Sequence, residues 1–258
     1  MSGDAKKKAF SWEAFGREWL DTLVVAISVA MCFRAYFWQP FNIPTGSMQP
    51  TLWGYHTTEG VEKGVWDSWP LSWLKWAWSG DKVVDCRAPV SGMVRVAPRN
   101  DGFANVSVGR DRTVFKLPTD AAQTLVGRYV NAGDTLWKGV ISTGDFIFVN
   151  RWKWNFRQPR DGEVMIFSTT GIKGLMQGTH YIKRMKAKPG ETYVLEHPVA
   201  DRPYLPTVVT MGEDEYFACG DNFGNSFDSR YWGPVPGDRL RGTASVVFWP
   251  FKGWRIVR

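Results

Sequence analysis

Ser47 lies in the stretch Phe41-Asn42-Ile43-Pro44-Thr45-Gly46-Ser47-Met48-Gln49-Pro50-Thr51-Leu52, where Pro44 and Pro50 stiffen the flanks and Gly46 leaves the backbone open to a ligand. That is a setting for a nucleophilic hydroxyl. A serine becomes nucleophilic only beside a base, and the same residues also read as a turn after an apolar run, with Thr45 and Ser47 making local bonds. A second stretch supplies a candidate base: His180-Tyr181-Ile182-Lys183-Arg184-Met185-Lys186-Ala187-Lys188-Pro189-Gly190-Glu191. Strand alternation turns Tyr181, Lys183 and Met185 to one face and Ile182, Arg184 and Lys186 to the other, so Lys183 is the cation flanked on its own face by large, largely apolar groups. A free lysine is neutral in only about one molecule in a few thousand at pH 7, whereas burial lowers its pKa and makes the amine a usable base. The histidines His56, His180 and His197 have no convincing local partner for a Ser/His/Asp triad, and no His, Cys and carboxylate spacing fits a metal, so neither a metal nor a cofactor is expected.

A third stretch, Gly220-Asp221-Asn222-Phe223-Gly224-Asn225-Ser226-Phe227-Asp228-Ser229-Arg230-Tyr231-Trp232-Gly233, completes an ordered set. Together the three resemble type I signal peptidases, membrane-bound Ser/Lys proteases that remove signal peptides from exported proteins. The resemblance implies Ser47 as nucleophile and Lys183 as general base. The Ser47 N–H and the Thr45 hydroxyl would form the oxyanion hole, since the family uses Ser or Thr there. It implies Ser226 as the serine that hydrogen-bonds and orients the lysine amine, Asp228 and Arg230 as an ion pair holding the loop, and Asp221 as a further structural carboxylate. The chain departs from the family at Phe223 and Gly224, where a basic and an acidic residue are common. For Asp228 and Arg230, simple stabilisation of the fold is the stronger half of the expectation.

These side chains need a scaffold and a membrane. Lys6, Lys7, Lys8 and Arg17 precede an apolar segment over residues 20–38, which predicts a short cytoplasmic segment (1–19), a transmembrane anchor and an exported remainder. Only twelve uncharged residues separate Asp21 from Arg34, fewer than a span ordinarily needs, but both charges lie near the ends, where they reach the interface, and aromatic clusters flank the middle. A cleavable signal with a small-residue site at Ser28-Val29-Ala30 is the rival reading. Fifteen tryptophans and a net charge of +7 suit a protein working against anionic lipid. No nucleic-acid module is present to claim the charge.

The fold expected is mostly β: an N-terminal transmembrane helix, then a coiled antiparallel β-sheet catalytic domain (39–52 and 144–258) interrupted by a β-rich insertion (53–143). Within the insertion, Trp69, Trp73 and Trp76 fall at helical spacing, consistent with an interfacial helix or one packed on its own domain. The Ala88-Pro89-Val90-Ser91-Gly92 run and the Gly127–Asp134 run are similar to the half-barrels of biotinyl/lipoyl-like modules, without a lysine at the hairpin tip to modify. Of Cys32, Cys86 and Cys219, the last two would both lie outside the cytoplasm, and their pairing is left open.

The leading expectation is a single-pass protein of the bacterial cytoplasmic membrane, N-terminus inside, cutting after small residues of signal peptides, with membrane lipid and a secretion translocon as candidate partners. The alternatives are an inactive membrane-tethered scaffold and a peptidase dedicated to one secretion system.

Overall fold

Helix α1 runs over Trp12–Tyr36, further toward the N-terminus than the apolar segment alone predicts. Good helix formers such as Glu13, Arg17 and Glu18 extend it there. At the other end it stops before Trp38, because Pro40 cannot continue a helix and the chain passes into a strand. Phe15–Tyr36 is long and apolar enough to cross a membrane, about 33 Å at 1.5 Å per residue, and none of it is buried within the protein. This computed structural model describes residues 12–99, 102–110, 113–195 and 208–258. The basic cluster Lys6–Lys8 and His197 lie outside the described residues.

Beyond α1 the chain is mostly strand: β1 (Trp38–Asn42), β2 (His56–Glu59), β3 (Asp81–Arg87), β4 (Gly92–Pro98), β5 (Phe103–Val108), β6 (Phe115–Pro118), β7 (Tyr129–Val130), β8 (Thr135–Ser142), β9 (Phe146–Asn150), β10 (Val164–Ser168), β11 (His180–Ala187), β12 (Thr192–Val194), β13 (Val208–Thr210), β14 (Glu215–Cys219), β15 (Val235–Pro236), β16 (Leu240–Trp249) and β17 (Arg255–Ile256). The main sheet is antiparallel, in the order β1-β9-β16-β10-β11-β14-β15, with β17 on β16. Its centre is β10, buried along its whole length. Val164 and Ile166 enter one core with Ile43, Met48, Leu52, Ile147 and Val149, while Met165 and Phe167 enter another with Met185, Tyr216 and Ala218. Cover on both faces explains why Val164-Met165-Ile166-Phe167 is continuously apolar instead of alternating.

Residues 53–143 build two smaller sheets, β2-β8-β3 and β6-β5-β4-β7, around a core of their own that includes Val94, Val106, Leu117, Leu125 and Trp137. The Ala88 and Gly133 runs meet there: the Ala88 N–H donates to Asp134 O at 2.9 Å and the Gly133 N–H to Ala88 O at 2.8 Å. Helix α2 spans Leu71–Ser79 and closes on Gly80 in the left-handed region (φ 73°), whose N–H donates to Trp76 O. Trp73 and Trp76 are on it. Trp69 precedes it because Pro70 starts the helix. Trp249 of β16 reaches α2, its Nε1–H donating to Ala77 O at 2.8 Å.

Candidate active site

From β1 the chain enters the core at Ile43, crosses Thr45 in an extended conformation (φ −120°, ψ 157°) and makes one 3-10 turn over Gly46–Met48. The turn is held from beneath by Met48 and Leu52, both fully buried, and their backbones are joined by Leu52 N–H to Met48 O at 2.9 Å. Ser47 is thereby fixed with its hydroxyl at the floor of a cleft of about 680 Å³, whose walls include Pro44–Ser47, His180–Lys183 and Gly224–Phe227. Thr45 Oγ1 lies 3.4 Å from Ser47 Oγ. Two glycines permit this packing: a methyl group on Gly54 would overlap the Thr45 backbone, and one on Gly220 would overlap the Ser47 carbonyl and Ser226 Oγ.

Lys183 arrives from β11, directly across from Met165 of β10. Alternation along β11 buries Lys183, Met185 and Ala187, leaving Lys183 only 4% exposed. Its Nζ donates to Ser47 Oγ at 2.6 Å. Burial lowers the lysine pKa from 10.5 to about 8, an effect that the charge of Asp228 partly opposes. Arg184, on the opposite face, has a different task. It grips Asp221 with two bonds of 2.7 Å and reaches Thr51 Oγ1 at 3.1 Å, tying β11 to the end of the serine stretch. Burial alone would raise the Asp221 carboxyl, but the Arg184 guanidinium outweighs it and holds the pKa below the ordinary value.

The third stretch is built on Asp228, which has no exposed surface. One oxygen accepts from Arg230 Nε (2.8 Å) and the Arg230 N–H (3.2 Å), capping the short helix Ser229–Trp232. The other accepts from Arg230 Nη2 (2.9 Å) and the Gly220 N–H (2.9 Å). Arg230 also donates to Phe223 O at 3.0 Å, and its guanidinium sits 5.2 Å from the Phe223 ring centre. The departure at Phe223 thus places an aromatic face against the buried cation. Ser226 is buried and lines the same cleft as Ser47 and Lys183, but its Oγ makes no hydrogen bond, including the one to the lysine amine that the resemblance implies.

Asn222 is a positioning residue that sequence reasoning passed over. Its N–H donates to Ser47 O (3.1 Å) and its Nδ2 to Gly46 O (3.1 Å), clamping the serine turn against the third stretch. The signal was its place within the quoted stretch, but the contact spans 176 residues and no local pattern announces it. The insertion also touches the serine strand: Asn42 Nδ2 donates to Tyr55 Oη at 2.6 Å, and the Tyr55 ring packs on Phe103. Cys86 and Cys219 are free, buried thiols in separate cores, with Cys219 pushed up to about 12 by burial; Cys32 is free and exposed on α1.

This arrangement brings together a serine hydroxyl, a buried amine beside it and, among the described residues, a strand edge on the cleft side that is left unpaired before Arg184, where β14 joins β11. The chain matches the family model for signal peptidase, peptidase S26, over residues 16–86 and 197–249. It is 31% identical over 155 residues to signal peptidase I T of Bacillus subtilis, covering 49% of this chain and 76% of that protein. It is 31% identical over 129 residues to probable signal peptidase I-2 of Synechocystis sp. (43% and 57%), and 22% identical over 251 residues to signal peptidase I of Buchnera aphidicola (90% and 75%). The matches thus span between 57% and 76% of these relatives' lengths.

Proposed function

The chain belongs to the signal peptidase I family of peptidases, and from that premise we propose that it is a membrane-bound serine endopeptidase that cleaves signal peptides from exported preproteins. The observation that carries this reading is the 2.6 Å contact between Lys183 Nζ and Ser47 Oγ in a buried setting that lowers the lysine pKa to about 8. With the amine neutral, the hydrogen bond reverses: the Ser47 hydroxyl donates to the nitrogen lone pair. As Oγ attacks the scissile carbonyl, its proton passes to Lys183, and the resulting ammonium later protonates the departing amine. The oxyanion of the tetrahedral intermediate is received by the Ser47 N–H and the Thr45 hydroxyl. Water then repeats the cycle on the acyl-enzyme, with Lys183 again taking the proton.

Substrate lies extended along the unpaired edge of β11 at His180–Ile182, adding a strand to the sheet. Asp228, Arg230 and Asn222 act at one remove by holding the loop and the serine turn, and Arg184–Asp221 braces the strand that carries the lysine. Ser226 Oγ, buried in the same cleft and without a hydrogen-bond partner, accepts from the ammonium once the proton has moved. With α1 spanning the cytoplasmic membrane of a bacterium, N-terminus inside, the cleft would face the exported side. The test is cleavage of a detergent-solubilised precursor by the wild-type chain, Ser47→Ala and Lys183→Ala, with N-terminal sequencing of the product. The reading expects wild type to cut after a small residue and both folded variants to be inert. Equal behaviour of all three would overturn it.

A further inference from the structure

Aromatic rings form an unbroken path from the exit of α1 to α2. Trp38, two residues beyond the helix, packs on Phe148 with ring centres 5.8 Å apart, and Phe148 stacks on Phe248 at 4.1 Å. Phe248 meets Phe146 at 6.3 Å, Phe146 meets Trp249 at 5.0 Å, and Trp249 meets Trp76 of α2 at 4.9 Å. The path follows the outer face of the main sheet: on β9, Ile147 and Val149 are buried inward while Phe146 and Phe148 remain half-exposed. It ends on a helix with no buried residue, where Trp73 is 64% and Trp78 is 61% exposed, next to Trp69 at 88% and Trp66 at 62%.

We propose that α2 and the tryptophans around it are a second, interfacial attachment to the lipid bilayer, continuous through this aromatic path with the membrane exit of α1. It rests on the reading of α1 as a membrane span. The covalent link fixes the occupant: Trp38 follows α1 at once, so the path begins at the bilayer surface. The side chains agree. An indole has an apolar body and one polar N–H and is favoured at the headgroup boundary, where an exposed cluster in water would be a liability. Lys63 and Lys82 line the groove beside Trp69, Trp73 and Trp76 together with Asp67 and Asp81; the two carboxylates are engaged within the protein, Asp67 by Lys75 at 2.6 Å and Asp81 by the Ser142 hydroxyl at 2.5 Å, which leaves the lysines to meet anionic headgroups. Two separated attachments hold the catalytic sheet at a fixed attitude to the membrane, where a single helix would let it swivel.

The protein supplies its own reference position, because Cys32 on α1 is exposed and both other thiols are buried. A thiol-reactive fluorophore is attached to the full chain in vesicles of phosphatidylcholine and phosphatidylglycerol, at Cys32 in wild type and at position 73 in Cys32→Ser/Trp73→Cys. The proposal expects blue-shifted emission at both positions and quenching of both by nitroxide-bearing acyl chains. Quenching at Cys32 alone overturns the attachment while leaving the span intact; emission at position 73 that is blue-shifted but unquenched assigns the surface to a protein partner instead. Quenching at neither position overturns the span and the attachment together.

Discussion

Replacing Lys183 with methionine should make the protein more stable as it makes it inert. Methionine has a similar length and would join Met165, Met185 and Tyr181 in an apolar environment. The fall of the lysine pKa from 10.5 to about 8 corresponds, at about 1.4 kcal/mol for each factor of ten, to about 3 kcal/mol of stability forgone by burying the cation. Losing the bond to Ser47 returns about 1 kcal/mol, so Lys183→Met should gain about 2 kcal/mol at pH 7. The sign follows from linkage. Below pH 8 the folded and unfolded chains both keep the proton and the penalty is complete. Between 8 and 10.5 the folded lysine is neutral while the unfolded one stays charged, so the penalty shrinks; above 10.5 it is gone. Urea unfolding of the full chain in detergent micelles, followed by tryptophan emission, should therefore show the variant's advantage at pH 7 fading to almost nothing by about pH 10. A variant less stable than wild type at pH 7, or a difference that ignores pH, would refute the idea that burial of a charge tunes this lysine.

Two further outcomes follow from the same geometry. Asp228→Asn removes the anion from a buried pair and should cost about 3 kcal/mol or more in the same unfolding assay. Because the Asp228 charge raises the Lys183 pKa, the folded fraction should show its acid limb of activity displaced to lower pH. Thr45→Val should lower kcat by roughly 10²-fold with little change in KM, the mark of a donor used in the transition state, and Thr45→Ser should restore most of the loss; equal kcat in wild type and Thr45→Val would remove the hydroxyl from the oxyanion hole.

The burial of Lys183 in the candidate site could be read because its logic is local. Strand alternation over His180–Ala187 singles out Lys183 among the three cations of that strand, and the same alternation governs its burial. The continuous apolar run of β10 and the helical spacing of Trp73 and Trp76 are equally local signals. What could not be read depends on distant partners. Arg184 and Asp221 are 37 residues apart and Asn222 and Gly46 are 176 apart, so neither contact leaves a periodicity in the chain. The fate of Cys86 and Cys219 was of the same kind, settled by two cores whose separation only the folded chain reveals. Helix α1 was underestimated because counting uncharged residues stops at Asp21 and Arg34, whereas a helix continues through charged residues that water or headgroups can reach.

The central claim is that Lys183, neutral, takes the proton of Ser47, and the pH dependence of kcat/KM on a neutral precursor peptide tests it most directly. The account predicts a single acid limb with tenfold loss per pH unit below a midpoint near 8 and a plateau above it, because kcat/KM reports the free enzyme's essential base. A profile that stays level through pH 8, or one that turns over only near the pKa of an ordinary lysine, would contradict it.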